Sequence, residues 1–414
     1  MLGYSEMREV LIWVQTDQSA KIKASYWPKT ASGIKFFTDE MVADKSKGFS
    51  VKLIADQVQP GIVYDYEIYV NGKAQKFSYP LTFQSKKQWL FRGDAPDVKI
   101  AMGSCTYVAE AFYDRPGEPY GGNYEIFTSI YNKKADIMLW LGDNTYLREP
   151  DWDTKTGIYH RYTHTRSLKE LQPLLANTHN YAIWDDHDFG PNDSDRGFWN
   201  KNTTYEAFQT FWGNPSFGIG DLKGAITSFQ WSDCEFFMLD NRFYRTPNNQ
   251  KSGECTVLGK EQLQWLKDAL ISSKSTFKFV AMGGQFVNDA KAHESYINLC
   301  AAERDSIFSF LKKEKISGVI FLSGDRHHSE VSKLNRPDAY PIYDFTVSPL
   351  TSKANPKAKE ENNTLRIPES LLTERNFAIM EITGPRNERQ LKLTFYDVAG
   401  NEKWNTVIKA KELK

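Results

Sequence analysis

The sequence is poor in cysteine, balanced in charge and free of long apolar runs, and each absence excludes a class of protein. Four cysteines among 414 residues are too few for a fold that disulfides hold together. Lysine plus arginine equals aspartate plus glutamate at 52 each, so no overall field attracts nucleic acid or anionic membrane. No apolar run approaches the ~20 residues that a membrane-spanning helix needs. We therefore expect a folded protein with no transmembrane segment and no nucleic-acid-binding surface.

The N-terminal residues, MLGYSEMREV, lack the charged and apolar regions of a secretory signal. A strand pattern begins almost at once, near Val10, so this start is weak evidence for a cytoplasmic location. The length of 414 residues suits two or three domains of ~150 residues each and can bury a sizeable core.

The periodicity of the chain changes near residue 93. From Val10 to Phe83, short apolar runs alternate with polar residues and turn signals such as Asn71-Gly72, which predicts antiparallel strands. The segment Arg92–Asp97 breaks this pattern, and strands then alternate with helical periodicity. We predict an α+β to α/β protein, with an antiparallel β-sandwich at residues 1–93 and an α/β domain at residues 94–414. Its central sheets should be mixed and flanked by helices.

In the second part, short apolar runs end repeatedly in polar turns. Helical periodicity lies between them at residues 124–133, 259–271 and 302–315, whereas residues 188–228 are predicted as loops and short helices. A hairpin is predicted around residues 399–401. Because ligands bind beyond the carboxyl ends of strands in α/β sheets, the turns should converge on one site. The turns are Gly103–Cys105, Gly142–Tyr146, Asp185–Asp188, Asp240–Arg242, Gly283–Gln285 and Ser323–His328.

Three residues after neighbouring runs have the chemistry of metal ligands. Asp143 directly follows an apolar run, and its carboxylate can bridge two ions. Tyr146, three residues later, offers a phenolic oxygen that suits a hard trivalent ion such as Fe(III). Cys105 adds a thiolate from the neighbouring strand end.

The other turns supply further ligands. Asp325 and His327 are two residues apart in an extended segment, so both can project in one direction toward two different ions. Asp186 offers a carboxylate to a second ion, and His187 beside it is left to act on a substrate. Together these residues predict a binuclear centre with oxygen, nitrogen and sulfur ligands.

The ordered motifs resemble those of the alkaline phosphatase D family, within the calcineurin-like metallophosphoesterase superfamily. The resemblance covers most of the chain, and it implies a fibronectin-like or immunoglobulin-like domain at residues 1–93 and a metallophosphoesterase domain at residues 94–414. The motifs are Gly-Ser-Cys, Gly-Asp-x-x-Tyr, Trp-Asp-Asp-His-Asp, Leu-Asp-x-Arg-x-Tyr-Arg and Gly-Asp-x-His.

The resemblance implies a metal-dependent hydrolase of phosphate esters, either an alkaline phosphatase or a phosphodiesterase. The binuclear centre, Fe(III) plus Ca(II) or another divalent ion, would activate a hydroxide for in-line attack on phosphorus. Asp143 would bridge the ions, and Cys105, Tyr146 and His327 would bind the iron. The complete set of predicted metal ligands is Cys105, Asp143, Tyr146, Asp186, Asp325, His327 and Gln285.

The sequence also departs from the family pattern. The middle histidine ligand of the wider superfamily has no evident counterpart, and Gln285 or Asn288 is expected to replace it. That replacement makes the second site rich in oxygen, which favours Ca(II) or Mg(II) over Zn(II). Asn144 and Thr145 stand where the close family usually has Tyr-Ile.

Three residues are predicted to act on the substrate. His187 would protonate the leaving oxygen or steady the phosphoryl oxygens. Arg242 and Arg245 would hold a phosphate in bidentate fashion, and the alternative for both is a salt bridge to Asp240 or Asp186. Residues that would support the site from behind, or whose role is left open, are Asn144, Asp185, Asp240, Asn288, Arg326 and His328.

Two other functions stay open from the sequence. The same centre could hydrolyse acyl or sulfate esters, or the chain could be a non-catalytic binding protein with a decayed site. The expected substrate is a small-molecule or polymeric phosphate ester. The sequence does not distinguish monoesters from diesters, and it does not give the oligomeric state.

We expect an extracytoplasmic location, periplasmic or secreted, with the signal peptide absent from this chain. Cys255 lies in a glycine-containing loop and Cys300 just before a predicted helix. These two cysteines could pair in an oxidising compartment, and the sequence leaves the pairing open.

Overall fold

The computed structural model describes residues 1–290, 292 and 294–414. The β-strands are β1 Leu2–Ser5, β2 Val10–Gln15, β3 Ala20–Pro28, β4 Phe36–Phe37, β5 Met41–Ala43, β6 Ser50–Ala55, β7 Val63–Val70, β8 Lys73–Ala74, β9 Thr82–Gln84, β10 Val98–Gly103, β11 Ile137–Leu141, β12 His179–Ile183, β13 Thr227–Trp231, β14 Cys234–Met238, β15 Phe277–Ala281, β16 Val319–Ser323, β17 Glu330–Arg336, β18 Ala339–Thr346, β19 Asn376–Thr383, β20 Gln390–Asp397 and β21 Glu402–Lys409. The α-helices are α1 Ile126–Asn132, α2 Lys155–Arg166, α3 Gln172–Asn177, α4 Asp186–Phe189, α5 Lys201–Phe211, α6 Lys260–Ser272 and α7 Tyr296–Lys313.

Two large mixed sheets pack face to face and enclose the main core. Across the described residues, the first sheet runs β21-β20-β19-β10-β11-β12-β1-β2-β6 and the second runs β13-β14-β15-β16-β18-β17. Ile100 and Met102 of the first sheet belong to the same buried cluster as Phe236 and Phe279 of the second. Burial of such side chains contributes ~1.5–3 kcal/mol each, so this interface holds the two sheets together.

The outer face of the first sheet is also covered. In β11, Ile137, Leu139 and Leu141 point to the core between the sheets, whereas Met138 and Trp140 pack with the helices on the other side. Strand β11 pairs in parallel with β10 and β12. Parallel strands that are buried on both faces read as continuous apolar runs, which explains the sequence pattern.

Helices α6 and α7 cover the outer face of the second sheet through residues such as Leu266, Leu270, Ile307 and Leu311. The three predicted helices are confirmed, with shifted ends. Helix α7 begins six residues before the predicted start at residue 302. The sequence pattern missed these residues because Cys300, with φ −160° and ψ 80°, is non-helical and interrupts the helical periodicity.

The N-terminal part does not form a sandwich with sheets of its own. Strand β1 pairs in parallel with β12, and β2 and β6 follow, so three strands before residue 93 extend the first large sheet. The strands β4-β3-β7-β8, with β5 and β9 at the sides, form a smaller sheet. Its Tyr26 and Tyr64 pack against Ile12 and Leu53 of the large sheet. The alternation of apolar and polar residues predicts that strands form, but it does not predict which strand pairs with which. The predicted boundary at residue 93 lies in the segment between β9 and β10.

The remaining predictions of secondary structure are confirmed. Strands β20 and β21 form the predicted C-terminal hairpin. Residues 188–228 contain α5 and loops, and their Phe189 and Phe208 pack on Trp184. None of the helices in the described ranges has the length and apolar character needed to cross a membrane.

A disulfide joins Cys255 to Cys300, 45 residues away along the chain. It ties the loop before α6 to the interrupted first turns of α7. The two cysteines whose pairing the sequence leaves open are therefore bonded in the structure.

We expect the double variant Cys255→Ser/Cys300→Ser to lose up to about 4 kcal/mol of unfolding free energy, because a crosslink over a loop of this length restricts the unfolded chain. Urea unfolding of the variant and the oxidised wild type measures the loss, and reduced wild type is the matched control. Equal stability of the variant and the oxidised protein would contradict this expectation.

Candidate metal centre

The predicted convergence of the strand ends is confirmed. Parallel pairing aligns the carboxyl ends of β10, β11 and β12 in the first sheet, and those of β14, β15 and β16 in the second. Cys105 and Asp143 follow β10 and β11, and Asp325 and His327 follow β16. The two packed sheets therefore bring polar turns from distant parts of the chain to one edge.

Four of these residues have left-handed backbone conformations. The φ angles are 60° for Cys105, 51° for Asp143, 63° for Asp325 and 56° for His327. Such conformations are uncommon for residues other than glycine and cost about 1–3 kcal/mol each, so they persist only where the surrounding fold imposes them. They turn each chain sharply at the end of its strand.

Two glycines allow the turns to approach Asp185 closely. A Cβ at Gly142 would lie 2.8 Å from Asp185 Cβ, and one at Gly283 would lie 2.5 Å from Asp185 Cγ. Gly142 also has φ 93°, which disfavours other residues. A side chain at position 142 would push apart the turns after β11 and β12 within the first sheet, and one at position 283 would push the second sheet away from the first.

The first ligand cluster combines sulfur, nitrogen and oxygen donors. Ligand atoms of Cys105, Asp143 and His327 all lie within 4.8 Å of one another. The Tyr146 hydroxyl lies 3.1 Å from Asp143 Oδ2 and 3.3 Å from His327 Nε2. His327 Nδ1 lies 2.8 Å from the Lys353 carbonyl oxygen. A proton donated there leaves Nε2 free for a metal, which is the usual way that a protein orients a histidine ligand.

A second cluster shares a residue with the first. Asp143, Asp186 and His187 place ligand atoms within 4.8 Å of one another, and so do Asp185, Asp186 and Glu294. Asp143 is thus in contact with both ligand groups, as a bridging carboxylate must be. Asp185 Oδ2 and Asp186 Oδ1 are buried and accept no hydrogen bond from the described part of the chain. Unpartnered buried carboxylate oxygens beside a cysteine and histidines fit a pair of metal cations.

The electrostatics of the cluster also favour cations. Burial, followed by the nearby carboxylates Asp185 and Asp186, raises the pKa of Asp325 well above its ordinary value. Burial raises the pKa of Cys105 to about 12, with Asp325 adding to the effect. The pKa of Asp143 is raised by burial, then by Asp186 and Cys105. Because the groups repel one another when ionised, positive ions would stabilise the charged forms that ligation requires.

His187 belongs to the second cluster, and its side chain also faces a cavity. Its ring stacks on Tyr146 with centroids 4.2 Å apart, and its Nε2 is 3.9 Å from Asp186 Oδ2. Its backbone N–H donates to Asp143 Oδ1 at 3.2 Å. Burial lowers the pKa of His187. It is in reach of a metal and of a substrate, and its side chain lines a cavity of about 580 Å³.

The structure contradicts the prediction that Arg242 holds phosphate, whereas Arg245 beside it keeps two guanidinium nitrogens, Nε and Nη1, without a hydrogen bond among the described residues. Both side chains are fully buried. Arg242 Nε donates to Asp185 Oδ1 at 2.5 Å, and its terminal nitrogens pair with Glu294 and lie 3.7 Å from Asp186. Arg245 donates to Glu294 at 2.5 Å. Among the described residues, the alternative of a salt bridge to Asp186 holds for Arg242, whereas Arg245 pairs with Glu294. Asp240 accepts a hydrogen bond from the backbone N–H of Arg242 and forms no salt bridge with either guanidinium in the described part of the chain.

Gln285 is not placed as a metal ligand, contrary to the prediction. Its Oε1 accepts hydrogen bonds from Asn288 Nδ2 at 2.6 Å and from Arg326 Nη1 at 3.0 Å. Its Nε2 donates to Glu330 Oε1 at 2.6 Å. An amide oxygen that already faces a guanidinium is a poor partner for a cation. Asn288 is engaged with neighbouring residues, since its Nδ2 donates to Gln285 and Glu361 and its Oδ1 accepts from the Ala290 N–H.

The other residues whose roles the sequence left open make hydrogen bonds or ion pairs with residues around the site. His328 Nδ1 lies 2.9 Å from the Arg326 carbonyl oxygen and its Nε2 lies 3.7 Å from Glu330. Asn144 Nδ2 donates to the Ile183 carbonyl oxygen at 2.7 Å, which ties the turn after β11 to β12. Asp240 caps its own turn by accepting from Arg242 N and Phe243 N.

The sequence interpretation missed Glu294. Arg242 and Arg245 compensate its burial and hold its pKa well below the ordinary value. It neutralises the arginines that were expected to bind substrate. No local signal marks it, because its partners lie about 50 residues earlier in the chain.

Known proteins are similar to this chain in sequence and in fold. Alkaline phosphatase D of Bacillus subtilis (strain 168) is 23% identical over 343 residues, which cover 71% of this chain and 56% of that protein. The chain therefore spans little more than half the length of this relative. A solved structure of PhoD superposes with a TM-score of 0.80 at 18% identity, over 99% of this chain and 90% of that one.

A purple acid phosphatase from yellow lupin (Lupinus luteus) seeds has a similar fold. It superposes with a TM-score of 0.69 at 14% identity, over 99% of this chain and 73% of that one. The sequence model of the PhoD-like phosphatases matches residues 100–387, a range that contains every residue of the two ligand clusters. The chain therefore belongs to the PhoD-like phosphatase family.

Proposed function

We propose that this protein hydrolyses phosphate esters at a binuclear metal centre, as an alkaline phosphatase or phosphodiesterase. The observation that carries the proposal is the position of Asp143 between two groups of ligand atoms. Membership of the PhoD-like phosphatase family supports it. The substrate would be a small-molecule or polymeric phosphate ester.

The ligand chemistry supports Fe(III) at the first cluster and Ca(II) or another divalent ion at the second. Cys105, Tyr146 and His327 offer a thiolate, a phenolate and an imidazole to the iron, and Asp143 is shared. Asp186 and Asp325 would give the second ion oxygen ligands, which Ca(II) prefers. When bound, such ions supply Lewis-acid activation of the phosphoryl group and of a water molecule.

The chain's own residues would orient the substrate and move a proton. His187 would donate a proton from its imidazolium to the leaving oxygen, because its side chain faces the cavity beside the ligand clusters. Arg242 would act indirectly, by fixing Asp185 and Asp186 in place through its buried guanidinium.

We also propose an extracytoplasmic location, periplasmic or secreted. The disulfide between Cys255 and Cys300 supports it, because structural disulfides persist mainly in oxidising compartments.

A panel of chromogenic esters tests the proposed function. Metal-loaded protein should hydrolyse 4-nitrophenyl phosphate or bis(4-nitrophenyl) phosphate, and much less of the corresponding sulfate and carboxyl esters. Asp143→Asn should lose both metals and activity, because the shared carboxylate contacts both ligand groups. His187→Ala should keep the metals and lose about 10²–10⁴-fold in rate, the usual effect of removing a general acid.

The exposed His160 provides a matched control. His160→Ala should stay within about twofold of wild type, because His160 pairs with Glu110 and is not part of either ligand cluster. Metal content of each variant is measured by elemental analysis. Loss of both metals in His187→Ala would instead make His187 a ligand, and preferential hydrolysis of sulfate or carboxyl esters would contradict the proposed function.

Tyr146 provides a spectroscopic test of the iron. A phenolate bound to Fe(III) absorbs visible light through charge transfer, so concentrated wild-type protein should be coloured. Reduction, or the variant Tyr146→Phe, should remove the colour. A protein that contains zinc and no iron would contradict the iron assignment and leave the phosphoesterase proposal intact.

Cys105 provides a test of the sulfur ligand. The Ser348 hydroxyl lies 3.1 Å from Cys105 Sγ, and a metal cation would provide the charge that a buried thiolate needs. Cys105→Ala should weaken iron retention and abolish most activity, whereas Cys105→Asp should recover part of both. Full iron content and turnover in Cys105→Ala would mean that Cys105 only fills space.

A further inference from the structure

A cavity of about 580 Å³ adjoins the candidate centre on one side. Of the residues assigned to the centre, only Tyr146 and His187 line it. The cavity therefore begins at the candidate proton donor and extends away from the other ligands. Because His187 would protonate the leaving oxygen, the cavity is placed to receive the leaving group of the ester.

Aromatic rings form a continuous wall of this cavity. The rings of Tyr107 and Tyr120 meet edge to face with centroids 5.0 Å apart, and Tyr107 lies 5.1 Å from Tyr146. Tyr146 in turn stacks on His187. Such a surface favours a planar or apolar group next to the phosphorus.

Arg148 lines the same cavity with most of its guanidinium unused. Its side chain is 12% exposed, and its Nε lies 3.7 Å from Glu149. That Nε is buried and makes no hydrogen bond within the described residues. Glu149 also pairs with Arg115 at 3.2 Å, so one carboxylate serves two arginines. A guanidinium has five N–H donors, and an anion offers the partner that this one lacks.

The backbone holds Arg148 in place. Its N–H donates to Asp151 Oδ2 at 2.8 Å, and Asp151 is itself fixed by Arg161 at the same distance. The guanidinium carbon lies 5.8 Å from the centre of the Tyr107 ring, at the aromatic wall. These contacts fix the backbone of Arg148 and place its guanidinium beside the aromatic wall.

We propose that Arg148 binds an anionic group on the leaving-group side of the ester. The preferred substrates are then phosphate esters whose leaving group carries a second negative charge next to a planar or apolar portion. This inference rests on the proposed function for the direction in which the substrate lies. In this proposal, Arg148 determines which ester is preferred and takes no part in the chemical step.

The test compares phenyl phosphate with 3-carboxyphenyl and 4-carboxyphenyl phosphate. Wild type should prefer at least one carboxylated ester in kcat/KM. In Arg148→Gln that preference should fall about 10- to 100-fold, the size expected for a hydrogen-bonded charge pair, and Arg148→Lys should keep part of it. Arg386→Gln is the matched control, because Arg386 is exposed and does not line the cavity. Its preference should stay within about twofold of wild type.

A binding measurement separates this inference from the proposed function. Benzylphosphonate and 4-carboxybenzylphosphonate resist hydrolysis, and calorimetric titration gives the affinity of each for wild type and the variants. Wild type should bind the carboxylated compound more tightly, and Arg148→Gln should lose the difference. Absence of hydrolysis with this binding preference intact would reject the proposed function alone.

Two results would overturn the assignment of Arg148. One is a wild type that treats carboxylated and plain compounds alike in both assays. The other is an Arg148→Gln variant that loses the same factor on both compounds, since that places the arginine on the phosphoryl group or in a structural role. Thermal unfolding of all variants checks that each is folded, and Arg148→Lys tests the assignment where Arg148→Gln does not fold.

Discussion

The crowding of buried carboxylates at one sheet edge is the constraint on which the rest of the structure depends. Asp143, Asp185, Asp186 and Asp325 converge there, and burial together with mutual repulsion raises the pKa of Asp143 and Asp325. One buried arginine, Arg242, offsets part of this charge, and it is itself shared with Glu294. The described residues therefore do not neutralise the site on their own. Metal cations would neutralise it. Their binding would also relieve the repulsion between the carboxylates, and this relief increases the affinity of the site for the ions.

Holding that arrangement requires a rigid support. Four ligand candidates adopt left-handed backbone conformations at a cost of about 1–3 kcal/mol each. The strands that lead into them are buried on both faces, between the central core and the covering helices. A packed core resists small displacements. The packing between the two sheets, and not the turns themselves, therefore provides the free energy that stabilises these backbone conformations. Glycine at positions 142 and 283 lets these turns approach Asp185, because a Cβ at either position would clash with it.

Sequence reasoning identified the strand ends and most ligand candidates because each of those signals is local. An apolar run that ends in Gly-Asp or Asp-His indicates both a strand and the candidate ligand residues that follow it. The errors concern partners. Arg242 and Gln285 were assigned to substrate and metal because the groups that occupy them, Glu294 and Arg326, lie 52 and 41 residues away in the chain. The pairing of β1 with β12 was missed for the same reason, since strand alternation carries no information about the neighbouring strand.

The arginines near the site show why partners decide function. Arg242 and Arg148 both lie close to His187, and their residue type alone suggests anion binding for each. Arg242 is enclosed by Asp185 and Glu294, so its donors are already used and an arriving phosphate would have to displace buried carboxylates. Arg148 shares a single carboxylate with a second arginine and faces an open cavity. Charge near a reaction centre therefore indicates substrate binding only where the structure leaves it unpaired, and in this protein the less buried arginine meets that condition.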